Sequence, residues 1–157
     1  MTQHHRNHFE KSRAARLAAV QALYQISETD QTGPAVIEEF IFHRFNSGDY
    51  PVSVDVSLFR KLITTSYERR QDIMDLILAN LSQEWSLERL ESILKAILQI
   101  ATAEFLGRLT TVPAPVIISE YVDITHGFFE GKEPGFVNSY LDKVAKHLGY
   151  SLSKPKK

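Results

Sequence analysis

The side chains placed to do chemistry in this sequence are cations and aromatic rings, not acid–base pairs or nucleophiles. Arg6, Lys11, Arg13 and Arg16 crowd the N-terminal end, and the helical spacing of apolar residues predicts a helix from about Ser12 to Ile26. Cations in the first turns of a helix oppose its macrodipole by roughly 0.3–1 kcal/mol each, so the placement calls for a compensating anion. A bound phosphate backbone would make these residues a binding surface, whereas carboxylates of the chain itself would make them internal ion-pair partners. Both readings stand at this point. A second candidate, Phe136, opens a predicted helix after the loop EGKEPG. Phe136 at its start either staples the loop to the core or leaves its ring free for an unpaired base. Stacking on such a ring is worth roughly 1–3 kcal/mol per base.

Other chemistry is missing. The chain contains no cysteine, which removes disulfides, thiolate metal sites and thiol nucleophiles. No phosphate-cradling glycine loop, GxSxG elbow, HExxH helix or calcium loop occurs. His4 and His8 are an i,i+4 pair without the third ligand that a metal site needs. An enzyme is therefore not expected, nor a cofactor or metal. The expected class is a binding protein. No apolar run approaches the roughly 20 residues of a membrane span and nothing resembles a signal peptide, so the expectation is a soluble, cytoplasmic protein.

The net charge of −1 conceals a partition: residues 1–16 carry +3, residues 142–157 carry +4, and the body between them carries −8. Such asymmetry fits a polyanion at the basic ends and a basic partner on the acidic body, or simply solvated termini.

The elements that must position these groups all have helical period. The stretch from Ser86 to Gly107 is apolar around most of its circumference, so other helices must wrap it; Ser86 is its expected N-cap and Gly107 its stop. Glu104 falls on an apolar face of this helix, and burial there requires a hydrogen-bond donor or cation within reach. Leu17, Val20, Leu23 and Tyr24 are the expected inward stripe of the first helix. The pattern from Asp55 to Leu81 predicts a long helix that Glu68 to Asp72 bends or splits. Trp85, the only tryptophan, is expected to plug a joint between bundles. Further helices follow Pro113 and EGKEPG, with Phe128 expected to face inward. The fold class is all-α: six or seven helices in two packed helical subdomains around a buried central helix. Residues 1–11 are expected to be a flexible basic arm and 12–150 one helical domain. Within that domain 12–54 and 55–150 form the two sub-bundles, and 151–157 are a disordered basic tail.

Three stretches, in order and at matching spacing, resemble the NusB family of bacterial antitermination factors. SRAARLAAVQALYQ from Ser12 is similar to the family's basic opening helix with its Ala-Leu-Tyr. Trp85 to Leu106 follows its W-x-L-x-R-L…A-I-L-x-x-A-x-x-E-[LF] pattern, with Glu104 as the recurring glutamate. Pro113 to Lys143 follows P-x-x-V-x-I-N-E-x-V and F-V-N-G-x-L-D-K, departing at Ser119 and Ser139-Tyr140; Gln99 stands at the family's usual arginine, and Lys132 where an acidic residue is common. The resemblance implies a heterodimer with the ribosomal protein NusE, recognition of the single-stranded boxA element of ribosomal RNA operon transcripts, and action on the elongation complex with RNA polymerase. It maps RNA binding onto Arg6, Lys11, Arg13, Arg16, Phe136, Asn138 and Lys143, and the protein partner onto Tyr24. Two alternatives remain at this stage: the related helical module attached to ribosomal RNA cytosine methyltransferases, which a chain ending at Lys157 leaves no room to complete, and a helical scaffold without an RNA role.

Overall fold

A computed structural model describes residues 3–50 and 52–153, with side chains from residue 7 onward; Arg6 thus lies outside the described side chains. The described residues form seven α-helices and no strand: α1 Gln3–Glu28, α2 Gly33–Phe42, α3 Val56–Glu68, α4 Arg70–Asn80, α5 Ser92–Gly107, α6 Ala114–His126 and α7 Glu133–His147. α5 packs on α1, α3, α4, α6 and α7 and buries Leu94, Ala96, Ile97, Leu98, Ile100, Ala101, Thr102, Ala103, Glu104 and Phe105. It is the wrapped central helix that its composition predicts.

The local boundaries differ from expectation in instructive ways. α5 starts at Ser92 instead of Ser86, because Leu87–Arg89 form a 3₁₀ turn and Leu90 and Glu91 are extended; Ser86 makes no capping bond, while Leu90 is buried. At the other end Gly107 is still helical and the left-handed residue is Arg108, with φ 48° and ψ 48°. Roughly 1–2 kcal/mol of strain is expected at such a position. Arg108 has compensation, donating to the Leu148 carbonyl at 3.0 Å and lying 4.4 Å from the centroid of the Tyr150 ring. Gly107 serves proximity: a Cβ there would sit 2.9 Å from Leu109 Cδ2 and 3.2 Å from Thr65 Cγ2 of α3. The long 55–81 pattern does split, at Arg69 between α3 and α4.

The expected arm at residues 1–11 is not a separate coil: α1 begins at Gln3, and the Asp55 amide donates to the Lys11 carbonyl. No proline or glycine interrupts residues 3–11, so the helix has no local reason to start later. Its buried face is built from Ala15, Ala18, Ala19, Val20 and Ala22, all at 0% exposure; Leu17 and Leu23 flank it and Tyr24 is exposed. The small side chains let α1 approach α3 and α5 closely, rotating the inward stripe away from the larger residues. The C-terminal tail is also partly structured, since Leu152 packs against the core.

α1, α5 and α6 are tied together at one buried point. Arg16, 2% exposed, donates from Nε to Glu104 Oε1 at 2.8 Å and from Nη2 to Glu104 Oε2 at 2.9 Å. Tyr121 of α6 donates to Oε1 at 2.7 Å, and Thr110 to Oε2 at 2.7 Å. Each carboxylate oxygen thus accepts two hydrogen bonds, which is what makes a buried charge tolerable. This is the partner that Glu104 requires.

Glu104→Ala would orphan a buried guanidinium, and we expect a loss of about 3–5 kcal/mol, measured by urea denaturation; a midpoint equal to wild type would contradict the network. Burial first, and then the Glu104 charge, hold the Tyr121 phenol well above its ordinary value. Its neutral form therefore stabilises the fold fully below the unfolded pKa of about 10. That contribution falls by about 1.4 kcal/mol per pH unit as pH rises toward the folded value. Tyr121→Phe should be less stable near neutrality yet lose stability less steeply above about pH 10, measured by denaturation across alkaline pH.

Candidate nucleic-acid and protein interface

Of the seven residues expected to contact RNA, the six whose side chains are described do not form one patch. Lys11 is exposed on α1. Arg13 is half exposed and reaches α6, where Nη2 lies 2.9 Å from Glu120 Oε2 and 3.0 Å from Asp123 Oδ2; its guanidinium is also 5.5 Å from the Phe9 ring centroid. The hydrogen bond to Glu120, opposed by burial and reinforced by the charges of Glu120 and Asp123, raises its pKa. Arg16 is corrected outright: its guanidinium is committed to Glu104 in the core and cannot reach a phosphate. Burial, the largest influence, would discharge it, but the bonds and charge of Glu104 outweigh that and keep its pKa raised. The intramolecular alternative for these arginines is thus the one realised for Arg16 and, in part, for Arg13.

On α7 the motif residues separate by helical geometry. Two residues apart on a helix point to different sides, so Phe136 is buried while Asn138 is exposed in a groove with Ser119, Asp142 and Leu152. Phe136, 7% exposed, stacks on Trp85 with ring centroids 4.3 Å apart and planes at 20°. The staple reading of Phe136 holds, and the expectation that it offers a free face to a base is corrected. Trp85 therefore sits on α7 as a partly buried plate. Lys143, seven residues beyond Phe136, is exposed on the same side of the helix.

A second surface forms along α1. Tyr24, 39% exposed, and Phe128, 42% exposed, line a groove of about 470 Å3 together with Gln21, Glu28 and Ile93. Gln21 and Phe128 continue it into a second depression of about 360 Å3 bounded by Arg13, Leu17, Glu120 and Asp123. Phe128 was expected inward; it follows the end of α6 at Gly127 and its ring faces out. The far wall is held by Arg44, which donates to Gln25 at 2.7 Å and lies 4.4 Å from the Phe40 ring centroid. Gln25 in turn donates to Glu39 at 2.8 Å, and this bond, ahead of the Arg44 charge, lowers the Glu39 pKa. The trough is thus aromatic, with Glu28, Glu120 and Asp123 along it and Arg13 and Arg44 among its lining, Glu120 and Asp123 being paired with Arg13. Glu120 and Asp123, an i,i+3 pair on α6, were the signal in the sequence for its acidic wall. No group of three His, Asp or Glu able to hold a metal occurs among the described residues.

A family model described as the NusB family matches residues 13–146 of this chain. The chain belongs to the NusB family. The transcription antitermination protein NusB of Maricaulis maris is 43% identical over 137 residues, 85% of each chain. That of Bartonella tribocorum is 43% identical over 151 residues, 90% of this chain and 94% of its own. Among solved structures, Thermotoga maritima NusB superposes with a TM-score of 0.70 at 30% identity, over 85% of this chain and 89% of that one. NusB of Aquifex aeolicus, at 22% identity and a TM-score of 0.65, shares the fold over 91% of this chain and 94% of its own. The all-α NusB fold expected from the three motifs is the fold observed. No helix among the described residues is long and apolar enough to cross a membrane.

Because Phe136 is a core residue, Phe136→Ala should cost about 3–5 kcal/mol, read as a shift in the urea or thermal midpoint. A loss below about 1 kcal/mol would mean the ring is not packed as described.

Proposed function

We propose that this NusB-family protein is an RNA-binding transcription antitermination factor of the cytoplasm. In this reading it pairs with the ribosomal protein NusE and binds boxA-type single-stranded RNA in the elongation complex with RNA polymerase. The observation that carries the reading is the family match across nearly the whole helical domain, joined to relatives of similar length that bear the antitermination name. The physical surfaces support it. A ribosomal protein is basic because it binds RNA, and the Tyr24–Phe128 trough offers two exposed rings beside Glu28, Glu120 and Asp123. Tyrosine anchors flanked by charge of the opposite sign are what such an interface uses for energy and for steering. RNA falls to the remaining accessible cations and polar groups, Lys11, Arg13, Asn138 and Lys143. Arg6 joins them as a proposal from the sequence. Arg16 does not contact RNA and instead holds the helix that presents its neighbours.

Arg13 sits between the two surfaces, so the separation is testable. Lys11→Ala with Lys143→Ala should weaken RNA binding and lower its salt slope by about 1.4, at roughly 0.7 per lost phosphate contact on a single strand; affinity for the ribosomal protein should stay within about twofold. Tyr24→Ala should weaken the protein partner about tenfold or more, at about 1.4 kcal/mol per decade. With its ring 39% exposed and outside the core, stability should change by less than about 1 kcal/mol. Fluorescence anisotropy with labelled RNA and calorimetry with the partner give both numbers. If each variant lost both ligands equally, two separate surfaces would be the wrong description.

A further inference from the structure

Outside the Tyr24–Phe128 trough, Trp85 is an aromatic ring whose chemistry the fold leaves partly unused. Its residue is half-buried, and one ring face is covered by Phe136 in a near-parallel stack. No other aromatic ring or guanidinium among the described residues lies against it. Its indole Nε1–H donates to no described protein atom, yet among the described residues no buried side-chain nitrogen or oxygen lacks a partner; the N–H therefore reaches solvent. Phe136, its own ring centroid 6.4 Å from that of Tyr140, backs the plate and fixes it to α7. A rigid indole, supported on one side and wet at its N–H edge, has the form of a stacking platform.

The charges around it select the ligand. Lys132 is the residue that caps the start of α7, four before Phe136, and Lys143 follows Phe136 by seven on the same side of the helix; both are exposed. Lys143 is about 10 Å along the axis from Phe136 at 1.5 Å per residue. Next to Trp85 in the chain, Glu84, Ser86, Glu88 and Arg89 are exposed. These neighbours bring no surplus of positive charge to the ring, which suits a neutral base, while lysines about one and two turns from Phe136 suit the phosphates on either side.

We propose that Trp85 is a base-stacking platform for single-stranded RNA, receiving an unpaired base on the face opposite Phe136 while Lys132 and Lys143 take the flanking phosphates. The proposal rests on the RNA-binding reading above and assigns the aromatic contact to Trp85 where the motif pointed to Phe136. Every base has a π-face, so this contact contributes affinity with little sequence preference; a duplex, whose bases are already stacked, cannot use it.

Because Trp85 is the only tryptophan, its fluorescence reports on the contact in the unaltered protein. Titration with a boxA-type single strand should quench Trp85 emission and protect it from acrylamide, whereas the same sequence annealed into a duplex should do neither. Trp85→Ala should weaken binding of the labelled single strand about tenfold. Trp85→Phe, which keeps a ring over Phe136, should stay within about threefold, and urea midpoints of both variants ensure that folded protein is compared. RNA that binds with normal anisotropy but leaves Trp85 emission and the variants' affinities unchanged would overturn the platform and leave the RNA-binding reading standing. Loss of ribosomal-protein binding in Trp85→Ala with RNA affinity intact would make Trp85 a protein contact and overturn it as well. No RNA binding by the unaltered protein would overturn both readings together.

Discussion

A guanidinium and a carboxylate can be taken out of water together only if their hydrogen-bonding capacity is met, and in this molecule the Arg16–Glu104 pair meets that condition at the crossing of three helices. The Coulombic attraction alone does not guarantee a gain, because desolvating two ions costs several kcal/mol each. What the pair secures is register. Glu104 accepts from α1 through Arg16, from α6 through Tyr121 and from the α5–α6 connection through Thr110. A sliding of α1 or α6 by one helical turn would strand a charge in the core. The alanine face of α1 then seats against α5 at one depth only, and the positions of Arg13 and Tyr24 on one exposed side of α1 and of Lys11 on another follow from it.

The same network shapes the electrostatics of the surface. Glu120 is buried and lies 3.5 Å from Arg16 Nη1 as well as 2.9 Å from Arg13 Nη2, so it couples the interior pair to the exposed arginine. Asp123, half exposed, extends that coupling to solvent. Because exposed ion pairs are screened and contribute at most about 1 kcal/mol, the Arg13–Asp123 contact is one that a partner can rearrange, whereas the Arg16–Glu104 contact is not. The α1–α6 seam therefore grades from a fixed core to an adjustable rim, and the aromatic trough of Tyr24 and Phe128 runs along that rim.

The stack of Trp85 on Phe136 plays a similar part for the C-terminal helices. The chain before α5 is extended at Leu90 and Glu91 and turned at Leu87–Arg89, a segment with few backbone bonds of its own. Burying Leu90 and laying the indole on α7 anchor it. Locally the turn has only backbone bonds such as Arg89 N–H to the Ser86 carbonyl, with no side-chain cap from Ser86, so the anchor adds the tertiary hold.

How much of this was legible beforehand depends on the range of the interaction. The helical class, the wrapped central helix and the burial of Glu104 follow from apolar periodicity and from the cost of an unpaired carboxylate, and the three ordered motifs placed the chain in its family. Those are properties of residues a few positions apart or of a single residue against its own helix. The sequence did not determine which cation would answer Glu104, because Arg16 is 88 positions away and spacing along α1 cannot distinguish a residue aimed at phosphate from one aimed at a carboxylate. Nor did it determine that alanines rather than Leu17 and Tyr24 would face the core, since a helix of small and large apolar residues has two plausible inward faces until a neighbour approaches closely enough to exclude one. The choice between the two readings of Phe136 was open for the same reason: only the packing of Trp85 and Phe136, 51 positions apart, decides how far each ring is covered. Composition and period thus determined that helices form and roughly where they stop, while the tertiary structure decided which charges are spent inside the protein and which remain for a partner.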